Sequence, residues 1–600
     1  MPLALRGREL WHRTAPAALR AGEFKSEKQA WKLWKRHLAR RPANALSRLW
    51  TQWPDLLNWS LPRRPHTLAA AVADGSMSES TLAAAELAVV DPRAMARKPR
   101  RLEAHCRKWL AHASDSAHDP RAALDALAWA YALPKLVDEL SGELWWQVLD
   151  QLIDLAGGDH RRPARNCGLV GQLLSTELPL ALAFQFPEIK PCRRLAKRTG
   201  PSLEFGLTES LAADGMPRPA MLAELSQRFA CWLRASALAR RLRRDPWDDA
   251  ARQRLAHGVR QAARLIDARG CQFVASCDRA PWPRSLWRLC VREFGARRDR
   301  AVLESHRSPR PALSRTALKR LPEPSAQSDG AALAVLRSSW SPRAITLAVE
   351  HASRAVEFEL ALAGDPLLAG QWHCEVTIDG APRQLVTGWE ANCWVTDRDV
   401  AYLELEASLA GDVRVFRQLL LAREDQFLFL ADAVVARQAD SIAYRGRIPC
   451  AAGTSAMPVA DHTEASLVTG KNSFAVLPLA LPEWRRQCAR EDLAASQAEV
   501  QLSQEIAGRA LYAPLWIDLD PRHARHPYTW RQLSIAEDRQ AVPTTAAAGF
   551  RVQCGSRQWL FYRSLGQRAG RTVLGVHLWS EFLASRFNRD GESDTLIEVE

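Results

Sequence analysis

The apolar residues of this chain change period once, near residue 330. Before that point they recur every three or four positions; after it they alternate. In "SEKQAWKLWKRHLARR" Trp31, Trp34 and Leu38 share one helical face, with Lys and Arg opposite. The same spacing predicts helices in "PRAALDALAWAYALPKLVDEL", "GELWWQVLDQLIDLAGG", "LVGQLLSTELPLALAFQFPE", "MLAELSQRFACWLRASALARRL" and "DDAARQRLAHGVRQAARLIDARG". The Gly157–Gly158 pair suits a helix C-cap. Later segments alternate, among them "AITLAVEHASRAVEFELALAG", "DVAYLELEASLAG", "DVRVFRQLLLAREDQFLFLADAVV" and "GFRVQCGSRQWLFYRSL". Turns at DG, AG and ED break them into short strands. A helical block followed by a strand block predicts two domains, not one mixed sheet. Six hundred residues also exceed what one core supports. The expected layout is an α/α toroid of helical hairpins over 1–306, a Pro- and Ser-rich linker over 307–330, and an antiparallel β-sandwich over 331–600.

Charge divides along the same line. The net formal charge is +15. Residues 1–330 hold 55 Lys and Arg against 34 Asp and Glu, and residues 331–600 hold 27 against 33. The first part is a basic body suited to a polyanion. A general preference for Arg explains Arg over Lys, but not the difference between the halves.

Several classes lose their warrant. There is no Walker loop, GxGxxG, HExxH or GxSxG. No cofactor is expected. The twelve cysteines form no CxxC, which argues against a zinc ribbon or a disulfide framework. His523 and His526, in "DPRHARHPY", stand close together without evident partner ligands, so no metal site is expected. No run is long and apolar enough to span a membrane. The opening "MPLALRGRELWHR" lacks a secretory apolar stretch.

Asn166 precedes an apolar helix in "RNCGLVGQLLSTELPLALAFQFPE", and "ADGMP" follows at Ala213–Pro217. These segments resemble the helical domain of heparinase II/III-like polysaccharide lyases. "AVLRSSW" at Ala334–Trp340 and "FELALAGDPLLAGQW" at Phe358–Trp372 are similar to the opening strands of that family's β-sandwich. The resemblance implies β-elimination on an acidic polysaccharide. That reaction needs a group to neutralise the uronate carboxylate, a base for the C5 proton and an acid for the leaving oxygen. Asn166 matches the neutralising asparagine, with Arg165 and His160 beside it. His351 and Tyr402 are the candidate base and acid.

The departures from the family pattern are specific. Cys167 and Gly168 stand where a histidine commonly follows the asparagine. After its DG, "DGMPRPAMLAEL" has no acid before Glu224 and no tyrosine. His351 is shifted from the family's His-x-Asp, and Arg354 stands where the acid would fall. The resemblance therefore admits two functions: a lyase, or a catalytically degenerate relative that binds glycan or another partner.

Each candidate also has a plain structural reading. Asn166 suits a helix N-cap. His351 suits an ordinary strand position, and Asp214–Gly215 a turn. His160 lies in a segment with three arginines that suits either an anion or solvent. In "GWEANCWVTDRDVAYLELE" Trp389, Glu390 and Trp394 suit sugar binding, while Trp389 and Trp394 equally suit a core. Asp397 and Asp399 alone make a poor calcium site. The 23 tryptophans serve sugar-binding proteins and large cores alike. Trp among Lys and Arg in the 26–41 helix suits a polyanion binder, but no nucleic-acid module accompanies it. A lyase would work in the periplasm or outside the cell, and other functions fit the cytoplasm. The sequence leaves the oligomeric state open.

Overall fold

The computed structural model describes residues 7–22, 24, 26–40, 99–113, 120–158, 168–274, 281–305, 321–470, 472–485, 491–523, 526–587 and 592–600. His160, Arg165, Asn166, Cys167 and most of the expected linker lie outside the described residues. The chain forms two compact units. One comprises Met1–Val259 with Ala275–Ala296, and the other Arg260–Val274 with Arg297–Glu600.

The first unit is helical. Glu27–Ala39 starts at Ser26, whose side chain accepts the Gln29 N–H. Its Trp34 is fully buried, with its ring 6.4 Å from Trp146 and 5.2 Å from Trp11. Trp31 meets Trp145 at 5.6 Å. The aromatic residues of this basic helix therefore build core and are not free to stack on bases. Pro120–Ala132 is shorter than its apolar pattern suggested, and residues 133–140 form turns. Gly142–Gly157 buries Leu144, Trp145, Val148, Leu149 and Leu152. Gly158 ends it with φ −71°, an extended exit and not the left-handed cap the glycine pair suggested. Pro99–His112, Thr199–Ser210 and Arg284–Glu293 are further helices that the sequence did not single out.

The helix from Leu169 to Gln185 has a π turn at its centre. Leu169–Gln172 and Leu178–Gln185 are α-helical, and Leu173–Glu177 is π-helical, with i→i+5 bonding. Pro179 follows directly, has no N–H, and would clash with a carbonyl four residues back. The π turn absorbs that mismatch. Glu177, at its end, is fully buried and paired with Arg234 at 2.6 Å.

The second unit is antiparallel β. One nine-stranded sheet runs from Ala326–Ser328 through Val356–Leu362 and Asp365–Ile378 to Glu499–Ala507 and Asp492–Ala495. An eight-stranded sheet runs from Thr454–Pro458 through Ala510–Asp518, Phe427–Ala436, Val413–Ala422 and Val400–Leu409 to the edge strand Glu390–Thr396. A five-stranded sheet carries Tyr528–Leu533, Ala547–Cys554, Arg557–Ser564, Phe582–Phe587 and Ser593–Val599. The eight-stranded sheet lies between two cores. Ala401, Leu403 and Leu405 join one, and Val400 and Tyr402 join the other. A sheet covered on both faces needs apolar residues on both, which is why "FLFLADAVVA" and "ALYAPLWID" read as almost unbroken apolar runs. The expected sandwich is present, with the five-stranded sheet as a further layer.

Arg260–Val274 and the helix Arg297–Ser305 cluster with the β unit, on the far side of the expected boundary at 306. The reason is buried polar bonding. Arg337 donates from Nη1 to the carbonyls of Ala263, Arg264 and Ile266. Arg264 donates to Glu323 O, and Arg260 pairs with Asp299 at 2.9 Å. Among the described residues no helix is long and apolar enough to cross a membrane.

Candidate functional site

In the β unit the structure brings His351 and Trp389 together and sets Tyr402 apart. His351 follows the strand Ile345–Glu350 and is 3% exposed. Its Nδ1 lies 3.3 Å from Trp389 O, so that nitrogen donates. Its Nε2 is buried with no hydrogen-bond partner. Burial holds the imidazole below its ordinary pKa and favours the neutral ring. Trp389 is 4% exposed, and its indole donates to Arg354 O at 3.1 Å. The Trp389 face covers the Arg417 guanidinium at 4.6 Å, and Trp372 covers the same group at 4.0 Å. Arg417 is paired twice with Asp432, and the Tyr444 hydroxyl closes the Asp432 carboxylate at 2.7 Å. Trp389 is therefore core, and its ring is spent on a buried cation, not on a sugar.

Tyr402 points to the opposite face of the same sheet, because alternate residues of a strand face opposite ways. It is fully buried and stacked on Phe582 at 5.3 Å. Its hydroxyl donates to Glu404 at 2.8 Å and accepts from Gln418 at 2.7 Å. Arg563 completes the cluster on Glu404 at 2.7 Å. Burial and the Glu404 charge raise the phenol well above its ordinary pKa. Tyr402 is therefore desolvated, with its hydroxyl satisfied, on the face of the sheet opposite Trp389. Glu390 is exposed on the edge strand Glu390–Thr396, and Trp394 is partly buried against the first core. Asp397 accepts from the backbone N–H groups of Asp399 and Val400, and so holds a turn.

In the helical unit the start of the Leu169 helix carries more chemistry than its sequence announced. The N-cap position is Gly168, which has no side chain to offer. The Leu169 N–H donates instead to Glu224 at 3.1 Å. Arg228, fully buried, pairs with Glu224 at 2.9 Å and donates to Ser210 Oγ at 2.9 Å. Behind them Gln172 accepts the Trp232 indole N–H at 2.6 Å. Gly206 lets this side chain in, since a Cβ there would fall 1.1 Å from the Gln172 amide nitrogen. "ADGMP" forms a tight turn: Asp214 accepts from Met216 N at 3.0 Å, and Gly215 sits at φ +80° against Gly258. Sequence reading passed over this role of Glu224; its one signal was being the first acid after the DG turn.

The same unit carries a basic ridge. In Lys190–Leu195 and the 3-10 turn Ala196–Arg198, the side chains of Arg193, Arg194, Lys197 and Arg198 are all exposed, while Cys192, Leu195 and Ala196 are buried. Exposed 193–194 and 197–198 alternate with buried 192 and 195–196, so the four cations lie on the solvent side of this segment. Arg244 ties to this turn by donating to Ala196 O at 2.8 Å. His12 feels the field: desolvation, Arg193, Arg13 and Lys190 together lower its pKa.

No protein-family model matches the sequence, and no curated protein matches it. Solved structures match in fold. A mutant of the heparan sulfate lyase HepC from Pedobacter heparinus aligns with a TM-score of 0.58 at 12% identity, over 92% of this chain and 96% of that one. A second HepC structure aligns at 0.54 and 13%, again over 92% and 96%. A structure of heparinase III aligns at 0.59 and 10%, over 93% of this chain and 99% of that one. At such identities the likeness is one of fold: a helical region followed by an antiparallel β-sandwich, in a distant structural relationship to heparinase III and HepC lyases.

Proposed function

We propose that this chain binds an acidic polysaccharide along the Arg193–Arg198 ridge, without elimination by the pair His351 and Tyr402. The observation that carries the reading is the ridge itself: four exposed cations on one face of a helical unit whose fold is shared with heparan sulfate lyases. A row of fixed cations attracts a sulfated or uronate chain through its field, and salt screens that attraction. Burial of both candidate catalytic groups supports the non-cleaving part. The test is a titration of the full chain with heparan sulfate at increasing salt. Binding that weakens steeply with salt, and a neutral glucan that does not bind, support the reading. Equal binding of the neutral chain overturns it.

One observation favours a second reading, cleavage by β-elimination. The buried Nε2 of His351 has an unused lone pair, which is the state a base requires. In this reading Asn166 neutralises the carboxylate, Arg165 and His160 bind the chain near it, and Glu390 and Trp394 contact sugar from the edge strand. Absorbance from unsaturated uronate that vanishes in Asn166→Ala would establish it.

A further inference from the structure

We propose that Asp518, His523 and Cys554 form a zinc site that clasps the eight-stranded sheet to the five-stranded sheet. The proposal is independent of polysaccharide binding. Asp518 ends the strand Ala510–Asp518 of one sheet, and Cys554 ends Ala547–Cys554 of the other. His523 lies in the connection that leads to Tyr528–Leu533. Sequence reading noticed this histidine but found it no partners, because they stand five residues before it and thirty-one after.

The donor atoms of the three side chains all lie within 4.8 Å of one another, and all three residues are buried. Imidazole nitrogen, carboxylate oxygen and thiolate sulfur are the donor types zinc takes, at bonds of about 2.0 to 2.3 Å. Now a proton occupies the place: His523 Nδ1 lies 2.8 Å from Asp518 Oδ2. Donors on a tetrahedral zinc lie about 3.3 Å apart, so the pair opens by about half an ångström as the ion enters. The imidazole proton then moves to Nε2, which faces Asp520 Oδ2 at 3.6 Å. A carboxylate behind the second nitrogen is what a metal-bound histidine uses to fix its ring. Arg522 holds that carboxylate in place at 2.6 Å. The Tyr528 hydroxyl, 3.1 Å from Asp518 Oδ2 and opposite Cys554 in strand register, stands beside the remaining coordination position. The His526 ring lies outside, beside Gly555.

The protons balance simply. A free cysteine is mostly thiol at neutral pH. Zinc takes the thiolate, and one proton leaves to solvent while the histidine proton only changes nitrogen. Uptake is therefore tighter at higher pH.

The test uses the full chain after dialysis against a chelator, titrated with cobalt(II) and then zinc(II). The expected result is one equivalent of cobalt with a thiolate charge-transfer band, displaced by zinc, and a rise in Tm on loading. Cys554→Ser should lose the band and His523→Gln most of the uptake, each with an unchanged circular dichroism spectrum. If either variant fails to fold, the metal dependence of the unaltered chain decides. No thiolate band and no change in Tm on loading, or a band that persists in Cys554→Ser, would overturn the site and leave an ordinary Asp–His–Tyr hydrogen-bond cluster.

Discussion

The two units treat charge in opposite ways. The β unit takes charged groups inside and closes them there: Arg417 with Asp432 on one face of the eight-stranded sheet, Arg563 with Glu404 on the other. Each carboxylate also accepts a tyrosine hydroxyl, and each arginine lies near aromatic rings. The helical unit also buries Glu177 with Arg234, but it displays Arg193, Arg194, Lys197 and Arg198 to solvent. Buried pairs fix which strands face each other and reach no ligand; exposed like charges cost solvation nothing and attract a polyanion. The motifs that suggested chemistry in the β unit therefore became architecture, while the feature with the clearest use lies on an unremarked short helix.

The comparison breaks most visibly at the buried pairs. Arg417→Met leaves the buried Asp432 charge without its counter-ion, held only by the Tyr444 hydroxyl, and should cost about 3–5 kcal/mol in denaturant unfolding. The double variant Arg417→Met/Asp432→Leu should recover most of that loss. Reversing the ridge (Arg193, Arg194, Lys197 and Arg198 each to Glu) should leave the unfolding midpoint nearly unchanged and weaken heparan sulfate binding at least about tenfold, roughly 1.4 kcal/mol. If ridge reversal unfolds the protein as Arg417→Met does, the division between architectural and displayed charge fails. Glu224→Gln removes the carboxylate that holds both the Leu169 N–H and Arg228, and should cost about 1–3 kcal/mol, read by thermal unfolding.

The smallest effect concerns pH. Burial lowers the His351 pKa in the folded state, so the unfolded chain takes up the proton first. His351 should therefore contribute full stability above its unfolded value, near 6.5, and lose it as pH falls below that value towards the folded one. His351→Gln should flatten that part of the stability profile between pH 7 and 5. An unchanged profile would mean that the folded protein does not hold the ring neutral.

The change of hydrophobic period made the order of helical and β regions legible, and strands such as Val400–Leu409 fell where alternation put them. The boundary was not legible, because it depends on Arg337 reaching carbonyls some seventy residues earlier. The third sheet was hinted at only by strands apolar on both faces. Among the candidate residues, His351 and Trp389 did come together, through a backbone carbonyl. Tyr402 shares their sequence neighbourhood, but strand alternation turned it to the other face. Glu224 and the Asp518–His523–Cys554 group were invisible because their partners are distant in sequence, and no local pattern records such a meeting.

The central claim is binding by displayed charge without cleavage by the buried pair. The most direct measurement is size-exclusion chromatography of heparan sulfate incubated with the full chain, followed at the absorbance of unsaturated uronate. The account predicts polysaccharide of unchanged length that co-elutes with the protein at low salt and separates from it at high salt. Shortened, absorbing fragments would contradict it.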